Sequence, residues 1–557
     1  MEPKRLAWRS APPYIGTVQA FSALLERLVL TPSRNAKLAL IVDYLRHTPD
    51  PARGFALAAI TGDLDIPSVK PAMIRDLVSG RVDPVLFGLS YEYVGDMAET
   101  VSLIWPKQPG ANRSPDLAEV VETLMAAGRG EGIGLVERWL DALDNTGRWA
   151  LLKLVTGGLR IGVSARLARQ AAADFGKVDV AEIEEIWHGL APPYLDLFAW
   201  LEGKADKPKP DMKASFRPVM LAHPLLSKQE RMSADDLDPA LVSPDDFAAE
   251  WKWDGVRVQL ACEGGARRLY TRTGDDISHT FPDIMERADF DATIDGELLI
   301  RSPQGGVASF NELQQRMNRK TVTAKQMAER PAFIRAYDLL LEGTEDLRPR
   351  TFRERRKRLE RFVVSLDEPT IDLSVILPFS NAHALEELRT NPPTPEIEGL
   401  MLKRWEAPYL AGRPAGQWWK WKRDPRLVDA VLMYAQRGHG KRSSFYSDFT
   451  FGVWRTREGV EELAPVGKAY FGFTDEELVQ LDKYVRENTI DRFGPVRSVT
   501  ANRDQGLVLE VAFEGLQRSP RHRSGIAMRF PRIHRIRWDK PAAEADRMET
   551  LEKMLEA

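Results

Sequence analysis

Cysteine is almost absent from this chain of 557 residues, in which Cys262 is the only one. A single cysteine excludes intramolecular disulfides and zinc sites built from four cysteines. Long apolar runs are missing as well: no uncharged segment could span a bilayer, and no apolar stretch follows the basic residues near the N-terminus. These absences predict a protein of the reducing cytoplasm, with no zinc and no membrane partner.

A strong charge imbalance is also lacking, because 78 basic side chains face 81 acidic ones and the formal net charge is -3. A balanced total can hide local asymmetry. Residues 402–426 carry seven Lys or Arg against two acids, and residues 517–540 carry eight against one. Such clusters indicate phosphate-rich partners, although a solvated surface is the alternative for either cluster taken singly.

Internal repeats and low-complexity segments are absent too, and the chain is long enough for about three domains. Apolar residues recur at three-to-four spacing up to Leu201, which predicts an all-α N-terminal domain over residues 1–203. Residues 204–218 are rich in lysine and proline and are predicted to be a linker.

The rest of the chain alternates between short strands and charged helical stretches. Strands such as VRVQLAC, ATIDGELLI and IEGLMLKRW predict an α+β domain on antiparallel sheet over residues 219–424. The strands DAVLMYAQ, FTFGVW and LVLEVAFEG, with the helical segment TDEELVQLDKYVREN, predict a small β-barrel of the five-stranded oligonucleotide-binding (OB-fold) type over residues 425–557.

Within the helical region, the segment GLRIGVSARLARQAAADFG at 158–176 is the most informative. Ser164 is a good N-cap, and Gly176 is a good stop for the alanine-rich helix. Arg160 lies just before the exposed amides of the helix start, which favours an anion site there. Capping alone would also account for the serine.

The segment EWKWDGVRVQL at 250–260 places a lysine between two tryptophans. Polar and apolar residues alternate on both sides of Asp254-Gly255, which predicts a strand, a tight turn and a second strand in a hairpin. Lys252 would lie beside the turn with charged neighbours. A solvated hairpin edge is the alternative interpretation of this segment alone.

Further segments supply the groups that a nucleophilic lysine needs. In WWKWKRD at 418–424, alternation sends Lys420 and Lys422 to one face and Trp419 and Trp421 to the other, as in a phosphate clamp. TIDGELLI and PEIEGLMLKRW place Asp295, Glu297 and Glu398 in largely apolar strands. Carboxylates there are costly unless they are paired or hold a cation, so magnesium is a reasonable inference. A structural ion pair is the commoner explanation for any one of these segments.

The order of the motifs carries a resemblance. KWDG with Arg257 resembles the lysine motif of the covalent nucleotidyltransferases. TRTGDD (271–276), DGEL (295–298), AYDLL (336–340), EGLMLK (398–403), WWKWK (418–422) and RFPR (529–532) follow in the order of the ATP-dependent DNA ligases. VGDMAE and GLRIGVS are similar to their helical DNA-binding domain, and FRPVMLA to the entry of their catalytic domain. The chain thus resembles a bacterial member of this family over nearly its whole length.

The resemblance implies an enzyme that seals nicks in duplex DNA with ATP and Mg²⁺. Lys252 would attack the α-phosphorus of ATP and become an AMP-lysine, and nearby cations or metal would lower its pKa towards the neutral amine. Glu297 and Glu398 would hold the metal. DNA contacts would come from Arg160, Gly162 and Ser164.

The resemblance also implies an ATP site. Its expected contacts are Glu250 and Tyr337 on adenine, Arg257, Arg272 and Glu297 near ribose and phosphate, Lys420 and Lys422 on the α-phosphate, and Arg529 on the departing pyrophosphate. The arginine that many relatives carry five residues after the motif tyrosine is displaced here. That place, counted from Tyr409, is Pro414, and Arg413 precedes it, so the nucleotide contact of Arg413 is left open.

The implied partner is nicked double-stranded DNA, bound by a monomer. Replication, repair and recombination roles are not separated by the sequence. An RNA ligase or capping-type nucleotidyltransferase is the nearest alternative, disfavoured by the helical first 200 residues. A non-catalytic nick-binding protein is the alternative from another class. NAD-dependent ligases are excluded because their zinc module needs four cysteines.

Overall fold

The computed structural model divides the chain into two compact units. The first comprises Met1–Phe175, Pro192–Phe198 and Pro425–Ala557, and the second comprises Gly176–Ala191 and Ala199–Asp424. The described residues are 16–94, 96–106, 114–128, 130–209, 213–225, 237–317, 319, 321–437, 445–493, 496–519, 522 and 524–556. Within these ranges, no helix is both long and apolar enough to cross a membrane.

The N-terminal part of the chain is helical. Its helices are α1 (Val18–Leu30), α2 (Arg34–His47), α3 (Ala52–Thr61), α4 (Pro71–Arg81), α5 (Pro84–Val94), α6 (Met97–Ile104), α7 (Leu117–Ala126), α8 (Glu131–Ala142), α9 (Asn145–Thr156), α10 (Ala165–Gly176), α11 (Val180–Ile186) and α12 (Leu195–Leu201). The predicted helical character of this region is confirmed.

Helix α1 illustrates why these segments fold as helices. The Thr17 side chain caps it by accepting the Ala20 N–H, and Phe21, Leu25 and Leu28 lie fully buried on one face. The spacing of three to four residues puts these side chains on one stripe, so folding buries them together. Burial of each such side chain stabilises the fold by roughly 1.5–3 kcal/mol.

The second unit contains two antiparallel sheets. Its strands are β1 (His223–Pro224), β2 (Phe247–Trp253), β3 (Val256–Glu263), β4 (Ala266–Thr271), β5 (Ala292–Ile300), β6 (Ala332–Glu342), β7 (Glu345–Asp346), β8 (Ile371–Leu373), β9 (Ile376–Leu377), β10 (Ile397–Arg404) and β11 (Trp418–Lys422). Its further helices are α13 (Pro282–Met285), α14 (Phe310–Met317), α15 (Ala324–Glu329), α16 (Phe352–Leu366) and α17 (Ala382–Thr390).

The first sheet has the order β1-β11-β10-β2-β9, and the second has the order β4-β3-β5-β6-β7 with β8 parallel to β6. Apart from the parallel β1–β11 and β6–β8 contacts, neighbouring strands run antiparallel. Each sheet has its own buried apolar cluster. The predicted α+β character of this region is confirmed.

The predicted hairpin at Asp254-Gly255 is wrong, because β2 and β3 belong to different sheets. β2 pairs with β10 and β9, whereas β3 pairs with β4 and β5. The Asp254 N–H donates to the Glu396 carbonyl at 2.8 Å, and the chain crosses from one sheet to the other. A Cβ on Gly255 would lie 2.7 Å from Glu297 Cγ and from the Leu298 carbonyl oxygen, so glycine permits the close approach of the chains.

The C-terminal part of the first unit is a β-domain. Its elements are β12 (Arg426–Arg437), β13 (Tyr446–Arg457), β14 (Val460–Ala469), α18 (Asp475–Glu487), β15 (Thr489–Phe493), β16 (Val496–Val499), β17 (Val508–Phe513), β18 (Gly515–Arg518), β19 (Ile526–Arg529), β20 (Arg532–Arg537) and α19 (Met548–Glu556). The three strands and the helix predicted for this region are present.

Strand β12 organises this domain because it pairs with β13, β16 and β17 along its length. The resulting seven-stranded sheet runs β14-β13-β12-β16-β15, with β17 joining β12 to β20, and β18–β19 forms a separate pair. Among the described residues no ladder joins β14 to β20, so the predicted closed barrel is not confirmed. Its inner face packs a large apolar cluster that includes Phe449, Phe451 and Phe513.

Candidate active site

A cavity of about 480 Å³ in the second unit is lined by both of its sheets. We call it the central cavity. Its lining residues are Leu221, Ala222, Glu250, Trp251, Lys252, Trp253, Gly255, Val256, Arg257, Thr271, Arg272, Thr273, Glu297, Tyr337, Ser374, Met401, Lys403, Arg413, Trp418, Lys420 and Lys422. Residues that lie far apart in the sequence are therefore brought to one largely cationic space.

Lys252 lies near the end of β2, with its side chain in the cavity wall. Its Nζ donates to Glu398 Oε2, and Lys422 Nζ lies 3.7 Å from the same oxygen. Burial alone would lower the pKa of Lys252, but the carboxylates of Glu398 and Glu297 outweigh it and the pKa is raised. The expectation that neighbouring cations lower this pKa is thus wrong for the ligand-free protein, because carboxylates are its nearest charged neighbours.

Glu297 on β5 is the second carboxylate beside Lys252. Burial, reinforced by Glu398 and Asp295 and opposed by Lys252 and Arg257, raises the pKa of Glu297 to about 8. Burial is the largest cause of this raised pKa, because a desolvated carboxyl group favours its neutral form. Ionisation of Glu297 is therefore costly in the ligand-free protein.

Glu250, two residues before Lys252 on the same strand, is buried and held by two cations. Lys403 Nζ lies 2.5 Å from Glu250 Oε2, and Arg356 Nη1 lies 3.4 Å from Glu250 Oε1. The Lys403 ammonium also lies 4.5 Å from the centre of the Tyr337 ring. The arrangement presents an acceptor, a donor and an aromatic face to one end of the cavity.

Arg257 also lines the cavity, but its donors bind protein groups. Nε and Nη2 form a bidentate pair with Asp295 at 3.0 and 2.6 Å, Nη1 donates to the Met220 carbonyl at 2.6 Å, and Nη2 also donates to the Tyr409 hydroxyl at 3.1 Å. Asp295 in turn accepts a hydrogen bond from Tyr409. These contacts make Arg257 part of the cavity wall.

Four cations without a bidentate pair line the rest of the cavity. Lys420 and Lys422 project into it from β11, while Trp419 and Trp421 pack in the apolar cluster of the first sheet, so the predicted alternation is confirmed. Burial and then the charges of Lys422, Lys252, Arg413 and Arg272 lower the pKa of Lys420. Mutual repulsion of this kind favours the binding of an anion.

Arg413 and Arg272 complete this cationic side. Arg413, whose nucleotide contact the sequence left open, is exposed at the cavity and close enough to influence Lys420. Arg272 lies in the loop after β4, beside Thr271 and Thr273, which also line the cavity. The displaced arginine therefore still reaches the site.

Lys403 and Trp418 also line the cavity, although no site role was predicted for either. Lys403 is almost fully buried. The indole N–H of Trp418 has no hydrogen-bond partner among the described residues. Their alternation within β10 and β11 was the available signal, because Lys403 and Trp418 are directly paired across these strands.

The carboxylates of this site fit magnesium. Within the described ranges no group of three or more His, Cys, Asp or Glu side chains forms a metal site. Mg²⁺ in proteins commonly takes only one or two carboxylates and completes its octahedron with substrate phosphates and water. Glu398 and the high-pKa carboxyl of Glu297 offer that donor set.

The remaining predicted residues lie in the first unit. Arg529 ends β19, with its guanidinium 5.3 Å from the Phe530 ring. Ser164 caps the start of α10 by accepting the Leu167 N–H at 3.2 Å, as predicted. Gly162, with φ +66°, lies against Lys37, whose Nζ donates to the Gly162 carbonyl at 2.8 Å.

The glycine turn that includes Arg160 and Gly162 borders an open surface pocket. Arg160 adopts φ +47° and is exposed. The pocket is lined by Pro32, Arg34, Lys37, Gly162, Val163, Ser164 and Leu167. It is a basic surface at a helix N-terminus.

Sequence comparisons agree with the site. A family model described as "ATP dependent DNA ligase domain" matches residues 220–422, and one described as "ATP dependent DNA ligase C terminal region" matches residues 442–540. The chain is 34% identical over 432 residues to a probable DNA ligase of Koribacter versatilis (strain Ellin345), covering 72% of this chain and 71% of the relative. It is 28% identical to DNA ligase 1 of Korarchaeum cryptofilum (strain OPF8), covering 97% of this chain and 98% of that relative.

A solved structure named "Pmar-Lig_PreS3" has the same fold, with a TM-score of 0.57 and 16% identity over 93% of this chain and 99% of that one. The match at 34% identity over most of both chains is what decides the family. The cavity residues agree with it, since Lys252 meets both carboxylates and further cations there. The resemblance seen in the motifs is confirmed, and the chain belongs to the family of ATP-dependent DNA ligases.

Proposed function

We propose that this protein seals nicks between a 5′-phosphate and a 3′-hydroxyl in duplex DNA, with Lys252 as the residue that carries AMP. The observation that supports this most directly is the position of Lys252. Its amine lies in the central cavity with the carboxylates of Glu297 and Glu398 and the cations Lys420 and Lys422 around it. An amine so placed can reach a phosphate that these cations hold, and its neutral form is the nucleophile.

The reaction has three transfers in this proposal. The Lys252 amine gives its lone pair to the α-phosphorus of ATP and loses a proton, while the bond from that phosphorus to the bridging oxygen breaks and pyrophosphate leaves. An oxygen of the nick 5′-phosphate then attacks the same phosphorus, and the nitrogen–phosphorus bond breaks to regenerate the amine. Finally the 3′-hydroxyl attacks the 5′-phosphorus, loses its proton and displaces AMP.

The end of the cavity near Glu250 suits adenine. The Glu250 carboxylate can accept from the exocyclic amino group, and the Tyr337 ring offers a stacking face. Lys403 supplies a donor next to that carboxylate. Trp418 offers a further indole donor. Arg257 shapes the wall beside the ribose through its pair with Asp295.

The cationic side suits the phosphates. Lys420, Lys422, Arg272 and Arg413 would neutralise the charge that develops during phosphoryl transfer, since positioning and electrostatics supply most of the catalysis in such reactions. Arg529 is proposed to contribute from the first unit to the orientation of the leaving pyrophosphate.

Magnesium is the proposed metal, held by Glu297 and Glu398. When bound it would neutralise phosphate charge. In the ligand-free protein Glu398 holds the Lys252 ammonium in an ion pair, which raises the pKa of the amine.

The DNA is proposed to be a nicked duplex, gripped by its phosphates with little base reading. Arg160, Gly162 and Ser164 would contact it from the helical region. We propose a helical DNA-binding domain at 1–203, a linker at 204–218, an adenylation domain at 219–424 and an OB-fold domain at 425–557. A zinc-free monomer is the proposed working state.

The test is a self-adenylation assay with ATP, GTP and NAD compared, followed by sealing of nicked DNA and nicked RNA. We expect an acid-labile adduct with ATP and magnesium only, and sealing of nicked DNA. Sealing of nicked RNA alone would make the protein an RNA ligase. The absence of any adduct from the folded protein would leave only nick binding.

A further inference from the structure

The segment Gly176–Ala191 belongs to the second unit although the chain on both sides of it, up to Phe175 and from Pro192 to Phe198, belongs to the first. Glu185, near the end of α11, anchors this segment to the second unit through ion pairs. The Glu185 carboxylate accepts from Arg348 Nη1 and Nη2 at 2.9 and 3.1 Å, and Arg217 Nη1 lies 3.3 Å away. A bidentate pair of this kind fixes orientation as well as distance.

The next turn of this segment places His188 in an aromatic cluster. Its ring centre lies 4.8 Å from that of Phe216 and 5.8 Å from that of Tyr270, and those two rings are 5.6 Å apart. The other side of the imidazole rests on Gly274. A Cβ on Gly274 would lie 2.3 Å from His188 Cε1 and 2.5 Å from Nε2, so the ring occupies the space directly beneath this glycine.

Gly274 belongs to the loop that carries Arg272. The loop closes on itself, because Thr271 N–H donates to the Asp275 carbonyl and Gly274 N–H donates to the Thr271 carbonyl, both at 2.9 Å. Gly274 adopts φ +92°, a conformation that favours glycine. A loop closed in this way moves as one piece, so the surface beneath Gly274 sets the position of Arg272 in the central cavity.

We propose that His188 is a positioning residue for Arg272 in the adenylation reaction. The proposal rests on the role suggested above for Arg272 in holding the nucleotide. The imidazole acts as a support: it fills the space under Gly274 and keeps the 271–276 loop raised towards the cavity. No proton transfer by His188 is involved, and its ring acts through its shape.

Without the His188 ring, the 271–276 loop would shift into the space that the ring fills, and Arg272 would move away from the nucleotide. A misplacement of about 1 Å can cost on the order of 100-fold in rate when a contact is essential. Because Arg272 is one of several cations at the site, we expect a smaller effect from its displacement. His188→Ala should raise the ATP concentration for half-maximal self-adenylation about tenfold and change the maximal rate less than about threefold.

The experiment is a double-mutant cycle in single-turnover self-adenylation of the full chain with labelled ATP. The variants are His188→Ala, Arg272→Ala and the double variant. We expect the double variant to match Arg272→Ala, because His188 then has nothing left to position. Multiplied effects in the double variant would overturn the proposal. So would a loss of adduct amplitude without a change in ATP dependence, which marks a purely structural role.

Two further variants keep the test decisive if His188→Ala folds poorly. His188→Phe retains a planar ring and should keep the ATP dependence within about twofold of the parent. Gly274→Ala disturbs the same contact from the other side, and its effect should also vanish when Arg272 is already alanine. His383→Ala, an exposed histidine on α17, is the matched control and should change nothing.

The outcomes separate this inference from the proposed function. If Arg272→Ala weakens adenylation but neither His188→Ala nor Gly274→Ala does, the positioning role is wrong while the nucleotide site stands. If Arg272→Ala itself has no effect, the role proposed for Arg272 fails, and the positioning role fails with it.

Discussion

The two sheets of the second unit both line the central cavity, yet they hold their charges differently. On the first sheet, the Lys252 ammonium contacts one oxygen of Glu398, and the Lys422 ammonium lies near the same oxygen. The side chains of Lys252 and Glu398 are 23% and 18% exposed. On the second sheet, Asp338 of β6 forms a bidentate pair with Arg355 in which both side chains are 0% exposed. The exchangeable pair, Lys252–Glu398, thus lies where chemistry is proposed, whereas the locked pair, Asp338–Arg355, is not among the residues that line the cavity.

This difference follows from the geometry of the partners. A guanidinium matches a carboxylate with two parallel hydrogen bonds, and its partner oxygens are then fully used. An ammonium is a point charge that leaves carboxylate oxygens available to a second cation. Lysine against glutamate therefore suits a site where a metal and phosphates must enter, and arginine against aspartate suits a permanent support.

The largest effect is expected at the exchangeable pair. Lys252→Ala should lower self-adenylation at least about 10⁴-fold, because no other group replaces the nucleophile. Sealing of a nick that already carries AMP should survive, since that step does not use the amine. Labelled ATP measures the first reaction and a pre-adenylated nick the second.

Lys325→Ala, with an exposed side chain on α15, is the matched control. It should leave both reactions unchanged. An adduct that persists in Lys252→Ala would contradict the assignment.

The second largest effect is expected at the locked Asp338–Arg355 pair, and it is an effect on stability. Arg355→Ala leaves the Asp338 carboxylate buried without its partner, and we expect a loss of about 3–5 kcal/mol in the free energy of unfolding. Urea unfolding followed by tryptophan fluorescence measures it. Arg361→Ala on the same helix is exposed and should cost less than about 0.5 kcal/mol. A loss below about 1 kcal/mol for Arg355→Ala would break the comparison between the two sheets.

Glu398→Gln should act on activity rather than on stability. The lost ion pair alone would lower the pKa of Lys252 and favour the neutral amine, so any loss of rate must come from weaker metal binding. We expect adenylation to fall about 100-fold at limiting magnesium, with partial recovery at high magnesium. A magnesium titration of the adenylation rate measures this.

Glu387→Gln, on the exposed side of α17, is the control for that titration. A faster rate in Glu398→Gln at every magnesium concentration would show that Glu398 only restrains the lysine.

The smallest effect on self-adenylation is expected for Arg413, at the rim of the central cavity. Arg413→Ala removes one of four cations and should raise the KM for ATP about tenfold, with unfolding unchanged. ATP-dependent adenylation kinetics measure it, with Arg361→Ala as the matched arginine control. An unchanged KM would mean that the displaced arginine lines the cavity without binding the nucleotide.

Much of the site could be predicted from the sequence because strand alternation and motif order are local. Alternation placed Lys420 and Lys422 on one face, and the motif series brought Glu250, Lys252 and Tyr337 together. Such patterns record which face a side chain takes. They do not record which strand lies next to it.

The sequence predictions are wrong or incomplete where the structure depends on contacts between residues that lie far apart in the chain. The Asp254-Gly255 segment has the composition of a hairpin turn, but tertiary pairing assigns β2 and β3 to different sheets. Lys403 looked like one member of a basic surface, yet it is buried against Glu250. The raised pKa of Lys252 could not be foreseen either, because it depends on Glu398, which lies 146 positions along the chain.

The most direct test of the proposed nick-sealing function is to identify the residue that carries AMP. The full-length protein is incubated with ATP and magnesium, digested, and the adenylated peptide is sequenced by mass spectrometry under conditions that preserve a nitrogen–phosphorus bond. We predict one adduct, on Lys252, that disappears when nicked DNA is added. An adduct on Lys420, Lys422 or Lys403 instead would contradict it.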